Sequence, residues 1–366
     1  MIHRCSFSIV FLIALVLGCS GSDGGTTGNA SGTGLTSNVW NWVPIDGAQC
    51  RDGSDTGIGI NPNPASDRLV ILLDEGGACF NSITCSLNLD HYGEPQFDAF
   101  AADTQTGGGA GLFDRSLASN PVKDWNFVFV PYCTGDVFVG NNPQGSVPGV
   151  GSQQFVGYAN VALVLQRAKA MFPNVTQVLL AGVSAGGFGA MANYTQVARA
   201  FEPVPVALLD DSGPPMGPPT VSTCLANQWI QLWNLGQTVK TDCGSDCAEP
   251  ANILIGLQQH NARTYPNRPM ALIDSTGDSV ISMFFGFGSN DCTAFAALSP
   301  ETFAAGLEDV RSQMAQYSNF GSFVFTGTDH TTLLGAAAFP TRTAGTAKLT
   351  DFISNLLSGQ VTNVGP

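Results

Sequence analysis

The chain has 366 residues, 44% of them hydrophobic and 11% charged, with a formal net charge of −14. That length can bury a substantial core in one large α/β domain. The acidic balance excludes a nucleic-acid-binding role, which needs a basic face. Gly, Ser, Thr and Asn fill much of the remaining composition, as is common in exported proteins.

The N-terminus reads as a targeting segment. His3 and Arg4 precede an apolar run from Ile9 to Leu17 that is too short to span a bilayer. Val16-Leu17-Gly18-Cys19 follows and resembles the lipobox of bacterial lipoproteins, which implies lipidation of Cys19. Residues 1–18 are then a signal segment, and residues 19–38, almost all Ser, Gly, Thr and Asn, a flexible tether. Ser20 lacks the Asp that retains many such lipoproteins at the inner membrane. The expected location is therefore the bacterial cell envelope, with the outer membrane favoured. An ordinary cleaved secretory peptide is the alternative.

Residues 39–366 are expected to form the folded domain, with its ordered part starting near Trp40 and ending about Leu357. Apolar runs suited to central strands recur at 68–73, 126–130, 177–181, 204–209, 269–273 and 322–325. They are continuous rather than alternating, as in parallel strands covered on both faces. Helical periodicity appears at Tyr158–Phe172, Ala185–Phe201, Ala251–Arg263, Pro300–Tyr317 and Ala344–Leu357. Strand and helix in alternation predict a doubly wound, mostly parallel α/β sheet. The stretch 214–249 breaks the rhythm. It carries three cysteines, Trp229 and Trp233, and is expected to form a cap.

The chemistry-bearing residues fall at strand ends. The run Val178–Ala181 leads into Gly182-Val183-Ser184-Ala185-Gly186, a Gly-x-Ser-x-Gly pentad before a helix-compatible segment. That is the form of a nucleophile elbow, in which a sharp strand-to-helix turn exposes a serine hydroxyl. The amide of Ala185 then sits at a helix N-terminus, where an oxyanion can be held. A serine needs a base, and the base needs an orienting acid, in the order Ser, Asp or Glu, His. His260 and His330 are the histidines after Ser184. His260 lies within a helical segment and reads as solvated, whereas His330 follows a strand and a short loop, where the base belongs. Asp278 follows a Gly turn beyond the preceding strand and is the leading acid. Asp274, as a strand-end residue, and Asp211 are the alternatives. The second oxyanion donor is expected from Gly77 or Ala78, in the Gly-containing loop after the first central strand. No cofactor or metal is implied.

Eight cysteines remain beyond Cys5 and Cys19: Cys50, Cys79, Cys85, Cys133, Cys224, Cys243, Cys247 and Cys292. An even count in an exported chain implies disulfides. The Cys243-x-x-x-Cys247 spacing also suits zinc, but no second close Cys or His pair accompanies it.

Several blocks together resemble the pectin acetylesterase/Notum family of serine carboxylesterases. They are Cys50-Arg51-Asp52-Gly53-Ser54, Glu75 to Asn81, Trp125 to Asp136, Gly182 to Gly187, Asp211-Ser212-Gly213 and Asp329-His330. The resemblance implies an α/β-hydrolase fold, metal-free hydrolysis of O-acyl esters, and Ser184, Asp278 and His330 as the triad. It also implies pairing of Cys79 with Cys85, and of Cys50 with Cys133. One departure stands out. Plant members read E-G-G-G-W-C where this chain has Ala78 and one residue fewer, which alters the pocket wall.

The expected function is removal of small acyl groups, acetyl above all, from polysaccharide hydroxyls by a monomeric esterase. Two alternatives stand beside it. One is a lipase-like or polyester-depolymerising esterase, using Phe284-Phe285-Gly286-Phe287 and the Trp-bearing cap as an acyl site. The other is a catalytically silent surface glycan-binding protein.

Overall fold

The computed structural model describes residues 34–106 and 110–366. Cys19, the signal segment and residues 19–33 of the tether lie outside the described residues. Within the tether's last residues, the Asn38 amide already donates to Pro62 O at 2.7 Å.

In chain order the elements begin with β1 (Asn41–Gln49), β2 (Asp55–Asn61) and β3 (Arg68–Leu73). Helices α1 (Ser82–Ser86) and α2 (Glu94–Thr106) follow, then β4 (Asn126–Val130) and the hairpin β5 (Asn142–Val147) and β6 (Gly151–Phe155). Next come α3 (Gly157–Met171), β7 (Gln177–Val183), α4 (Ala185–Ala200) and β8 (Val206–Asp211). Short helices α5 (Thr223–Leu232) and α6 (Val239–Cys243) precede α7 (Ile253–Thr264), β9 (Met270–Ser275), α8 (Ser279–Gly286) and the one-turn α9 (Ser289–Cys292). The chain closes with α10 (Pro300–Met314), β10 (Phe320–Phe325), α11 (Ala338–Thr341), the pair β11 (Thr343–Ala344) and β12 (Ala347–Lys348), α12 (Leu349–Leu357) and β13 (Asn363–Val364).

Nine strands form one sheet in the order β1-β2-β4-β3-β7-β8-β9-β10-β13. From β4 to β13 all neighbours are parallel. The six apolar runs read from the sequence are its parallel core. Their side chains alternate between two apolar layers. Ile71, Val128, Leu180 and Leu208 belong to one, and Val70, Phe127, Leu179, Leu209 and Phe323 to the other. Burial on both faces is why those runs show no polar alternation.

The fold departs from the sequence reading in three places. β1 and β2 add an antiparallel edge that the apolar-run criterion missed, because β1 is covered on one side only and alternates in burial. The helix expected at Ala344–Leu357 starts at Leu349, since Gly345 turns the chain at φ +59° between β11 and β12. The domain does not stop near Leu357 either, because β13 pairs with β10.

The helical insertion between β8 and β9 occupies the region read as a cap. Four disulfides are formed among the described residues: Cys50–Cys133, Cys79–Cys85, Cys224–Cys292 and Cys243–Cys247. The last removes the zinc alternative for Cys243 and Cys247.

Candidate active site

β7 leads directly into α4, and Ser184 sits at the junction with φ +55°. A non-glycine residue there is strained. The turn holds because its neighbours are glycines. A Cβ on Gly182 would overlap the Gly186 carbonyl, and one on Gly186 would overlap the main chain of Leu73. Ser184 is 4% exposed, so its hydroxyl is presented from a rigid, nearly buried position.

The structure brings Ser184, His330 and Asp278 together. His330 Nε2 lies 2.8 Å from Ser184 Oγ, and His330 Nδ1 lies 2.7 Å from Asp278 Oδ2. Asp278 has a second task. Its Oδ1 accepts the amides of Val280 and Ile281 at 2.9 Å each, capping α8. With Asp278 fully buried and bonded on both oxygens, it fixes the imidazole tautomer and presents Nε2 as an acceptor.

The loop expected to supply the second oxyanion donor follows β3. Gly76 and Gly77 have φ +155° and +76°, backbone that side-chain-bearing residues rarely adopt. Among the described residues, no hydrogen bond engages the amides of Gly77, Ala78 or Ala185. Neighbours hold the loop in place: Asn88 donates to Gly76 O, Cys79 N donates to Gly135 O at 2.7 Å, and Cys79–Cys85 closes a short loop beside it. Buried Arg51 supports the same corner, donating to Asn88 O at 2.8 Å and to Cys85 O at 3.2 Å.

Of the alternative acids, Asp274 does not contact the histidine. Its Oδ1 accepts the Ser275 amide, and its Oδ2 is buried without a partner among the described residues. Burial, reinforced by Asp278, pushes its carboxyl well above the usual carboxylate range. Asp211 is fully buried and accepts the amides of Thr332 and Leu333, just after His330. Burial pushes it up to about 6 against those two hydrogen bonds. His260 is not solvated as expected, because its Nδ1 lies 2.9 Å from Asp246 and it is largely covered on α7.

A cavity opens at Ser184. It offers about 70 Å³ to the centres of water-sized groups, and its wall is almost wholly apolar. Ala185, Phe188, Met191 and Ala192 form its floor at helical spacing along α4. Phe80, Val137 and Val139 close one side; Trp229, Trp233, Leu235 and Val239 of the β8–β9 insertion, with Phe284 and Phe285 of α8, close the rest. Trp229 and Trp233 stack with parallel rings 6.0 Å apart. The sequence reading anticipated Phe284, Phe285 and the two tryptophans, whereas Phe287 of the same run does not line the cavity. It missed the α4 residues, although their spacing from Ser184 carried the signal. It also missed Val137 and Val139, which arrive from a loop and show no pattern.

A serine on a strand-to-helix elbow of a parallel sheet, with an Asp-held histidine, defines the molecule as an α/β-hydrolase. The chain belongs to the pectinacetylesterase family, whose model matches residues 38–286. His330 lies beyond that match, so its place rests on the geometry above. The curated relatives include the palmitoleoyl-protein carboxylesterases notum2 of Xenopus laevis, 30% identical over 159 residues (42% of this chain, 31% of that protein), and NOTUM of Homo sapiens, 30% identical over 156 residues (42% and 30%). The match thus spans about a third of the length of those relatives. Among solved structures, the Drosophila Wnt deacylase Notum superposes with a TM-score of 0.64 at 18% identity, covering 89% of this chain and 96% of that one. It shows the same fold.

Proposed function

We propose that the protein is a serine carboxylesterase that cleaves O-acyl esters through an acyl-enzyme, and that its acyl group is longer than acetyl. Ser184 Oγ attacks the ester carbonyl as His330 Nε2 takes its proton. Asp278 steadies the imidazolium that forms. The free amides of Ala185 and of Gly77 or Ala78 hold the oxyanion. His330 then protonates the leaving alcohol, and a water activated by the same nitrogen releases the acid.

The observation that carries the acyl-length reading is the cavity. A space that only just admits one water leaves its centre almost no room, so a cavity with about 70 Å³ of room for such centres takes a chain of several carbons rather than one methyl. Relatives named as palmitoleoyl-protein carboxylesterases support the same class. Removal of acetyl groups from polysaccharide is the second reading, favoured by the family's description. Four disulfides support a site of action outside the cytoplasm. Anchoring through Cys19 rests on the lipobox-like sequence.

The test is turnover of soluble p-nitrophenyl butyrate by the wild type and by Ser184→Ala. We expect loss of the nucleophile to lower turnover by on the order of a million-fold. A folded, disulfide-bonded wild type that cleaves no ester refutes the proposal and favours a silent glycan-binding protein.

A further inference from the structure

The ester reading assigns roles to Ser184, His330 and Asp278 and leaves Asp211 without one. This is a fully buried carboxyl at the C-terminal end of β8, beside the nucleophile strand. Its main-chain carbonyl accepts the Ser184 amide at 2.7 Å. Its Oδ2 accepts the amides of Thr332 and Leu333 at 2.6 and 2.7 Å. The next residue completes the set: Ser212 Oγ accepts the Thr331 amide at 3.1 Å and lies 3.4 Å from Asp211 Oδ1. The three amides that follow His330 are therefore all taken by two adjacent residues. Thr331 and Ser212 both have positive φ, +61° and +64°, so neither backbone adopts this shape without something to hold it. The far end of the loop is fixed as well, because Leu333 is buried and its carbonyl accepts the Leu112 amide at 2.7 Å.

Resting on the ester reading, we propose that Asp211 is a positioning residue: through its carbonyl it holds the nucleophile, and through its carboxylate it holds the main chain that carries the base, so that Ser184 and His330 share one anchor. Asp278 orients the imidazole ring from Nδ1, while Asp211 fixes where that ring is rooted. Because a charged acceptor binds amides more strongly than a neutral one, the anchor is firmest when Asp211 is ionised. The charged and titratable groups that face it are His330 on the anchored loop, Glu75 from the oxyanion loop, Asp210 on its own strand and Asp274 on β9. Burial dominates its ionisation and pushes it up to about 6, so the anchor weakens as the pH falls through that region.

The variant that separates this role from bulk stability is Asp211→Asn. Both loop amides bind one oxygen, so an asparagine oxygen in that place keeps the bonds and loses the charge. Two readouts follow. Hydrogen exchange at Thr332 and Leu333 should be faster in the variant, and it is read whether or not any ester turns over. On a soluble ester, kcat should fall on the order of ten- to a hundredfold with KM within about twofold, as expected when a base is slightly misplaced. The acid limb of the kcat/KM profile should carry a component near pH 6 in the wild type, where Asp211 takes up its proton, and should lose that component in the variant. Asp211→Glu should not restore the wild-type rate, because the longer arm displaces the loop. Unchanged exchange at Thr332 and Leu333, or a variant whose acid limb and plateau overlay the wild type, overturns the proposal. A wild type with no esterase activity refutes the ester reading, and the exchange result still decides whether the anchor exists.

Discussion

If the cavity beside Ser184 is an acyl site, substrate preference should follow chain length. Burying a methylene is worth about 0.8 kcal/mol, or about fourfold in kcat/KM when the chain is held in the transition state. The cavity is walled by apolar side chains of α4, the β8–β9 insertion and α8, so its depth limits the chain it can take. Along p-nitrophenyl esters from acetate to palmitate, kcat/KM should therefore climb steeply at first and level off once the chain outgrows the cavity. Ala192 lies on the cavity floor and is itself buried. Ala192→Leu puts three extra carbons where the acyl chain would lie. The expected loss on octanoate is three methylenes, about 2.4 kcal/mol or about 60-fold, with acetate changed by less than about twofold. The assay is initial-rate kinetics on each ester below its solubility limit, with the melting temperature of the variant measured beside it. Rates that peak on acetate, together with an equal effect of Ala192→Leu at every length, would refute the acyl-pocket reasoning and restore the acetylesterase reading.

Three further substitutions test the carboxylates at Asp278 and Asp274. Asp278→Asn should cut kcat by about four orders of magnitude by releasing the imidazole tautomer, whereas Asp278→Ala should in addition lose the cap of α8 and about 1 kcal/mol of stability; steady-state kinetics and chemical denaturation read the two effects separately. Asp274→Asn should raise the melting temperature at neutral pH. The carboxyl it replaces is held well above its unfolded value, so the folded state binds its proton more readily, and wild-type stability falls as the pH rises from the unfolded carboxyl range towards that raised value. The variant should have a shallower slope in a thermal-shift series from pH 4 to 8, the remainder coming from other raised carboxyls such as Asp74 and Asp210, and an unchanged slope counts against the argument.

What the sequence determined by itself was whatever local chemistry dictates. The six central strands were legible because burial on both faces leaves unbroken apolar runs, and the elbow because only glycines allow the turn around Ser184. His330 and Asp278 could be singled out because both lie just past the ends of particular strands, β10 and β9, where they meet beside Ser184. Tertiary structure alone decided the rest. β1 and β13 are edge elements whose patterns are diluted by one-sided cover or brevity, and β2, though buried, has glycines at alternate positions that break its apolar run. The pairing of Cys224 with Cys292 links residues 68 apart, and no local pattern encodes such a choice. The cavity is assembled from the loop after β3, a loop after β4, the α4 face, the β8–β9 insertion and α8, so its size follows from how five separated segments pack. Asp211 shows the limit most clearly. In the sequence it was a spare acid near a strand end. Its hydrogen bonds to residues 121 and 122 positions away make it an anchor, because a buried carboxylate takes its role from the amides that the fold brings to it.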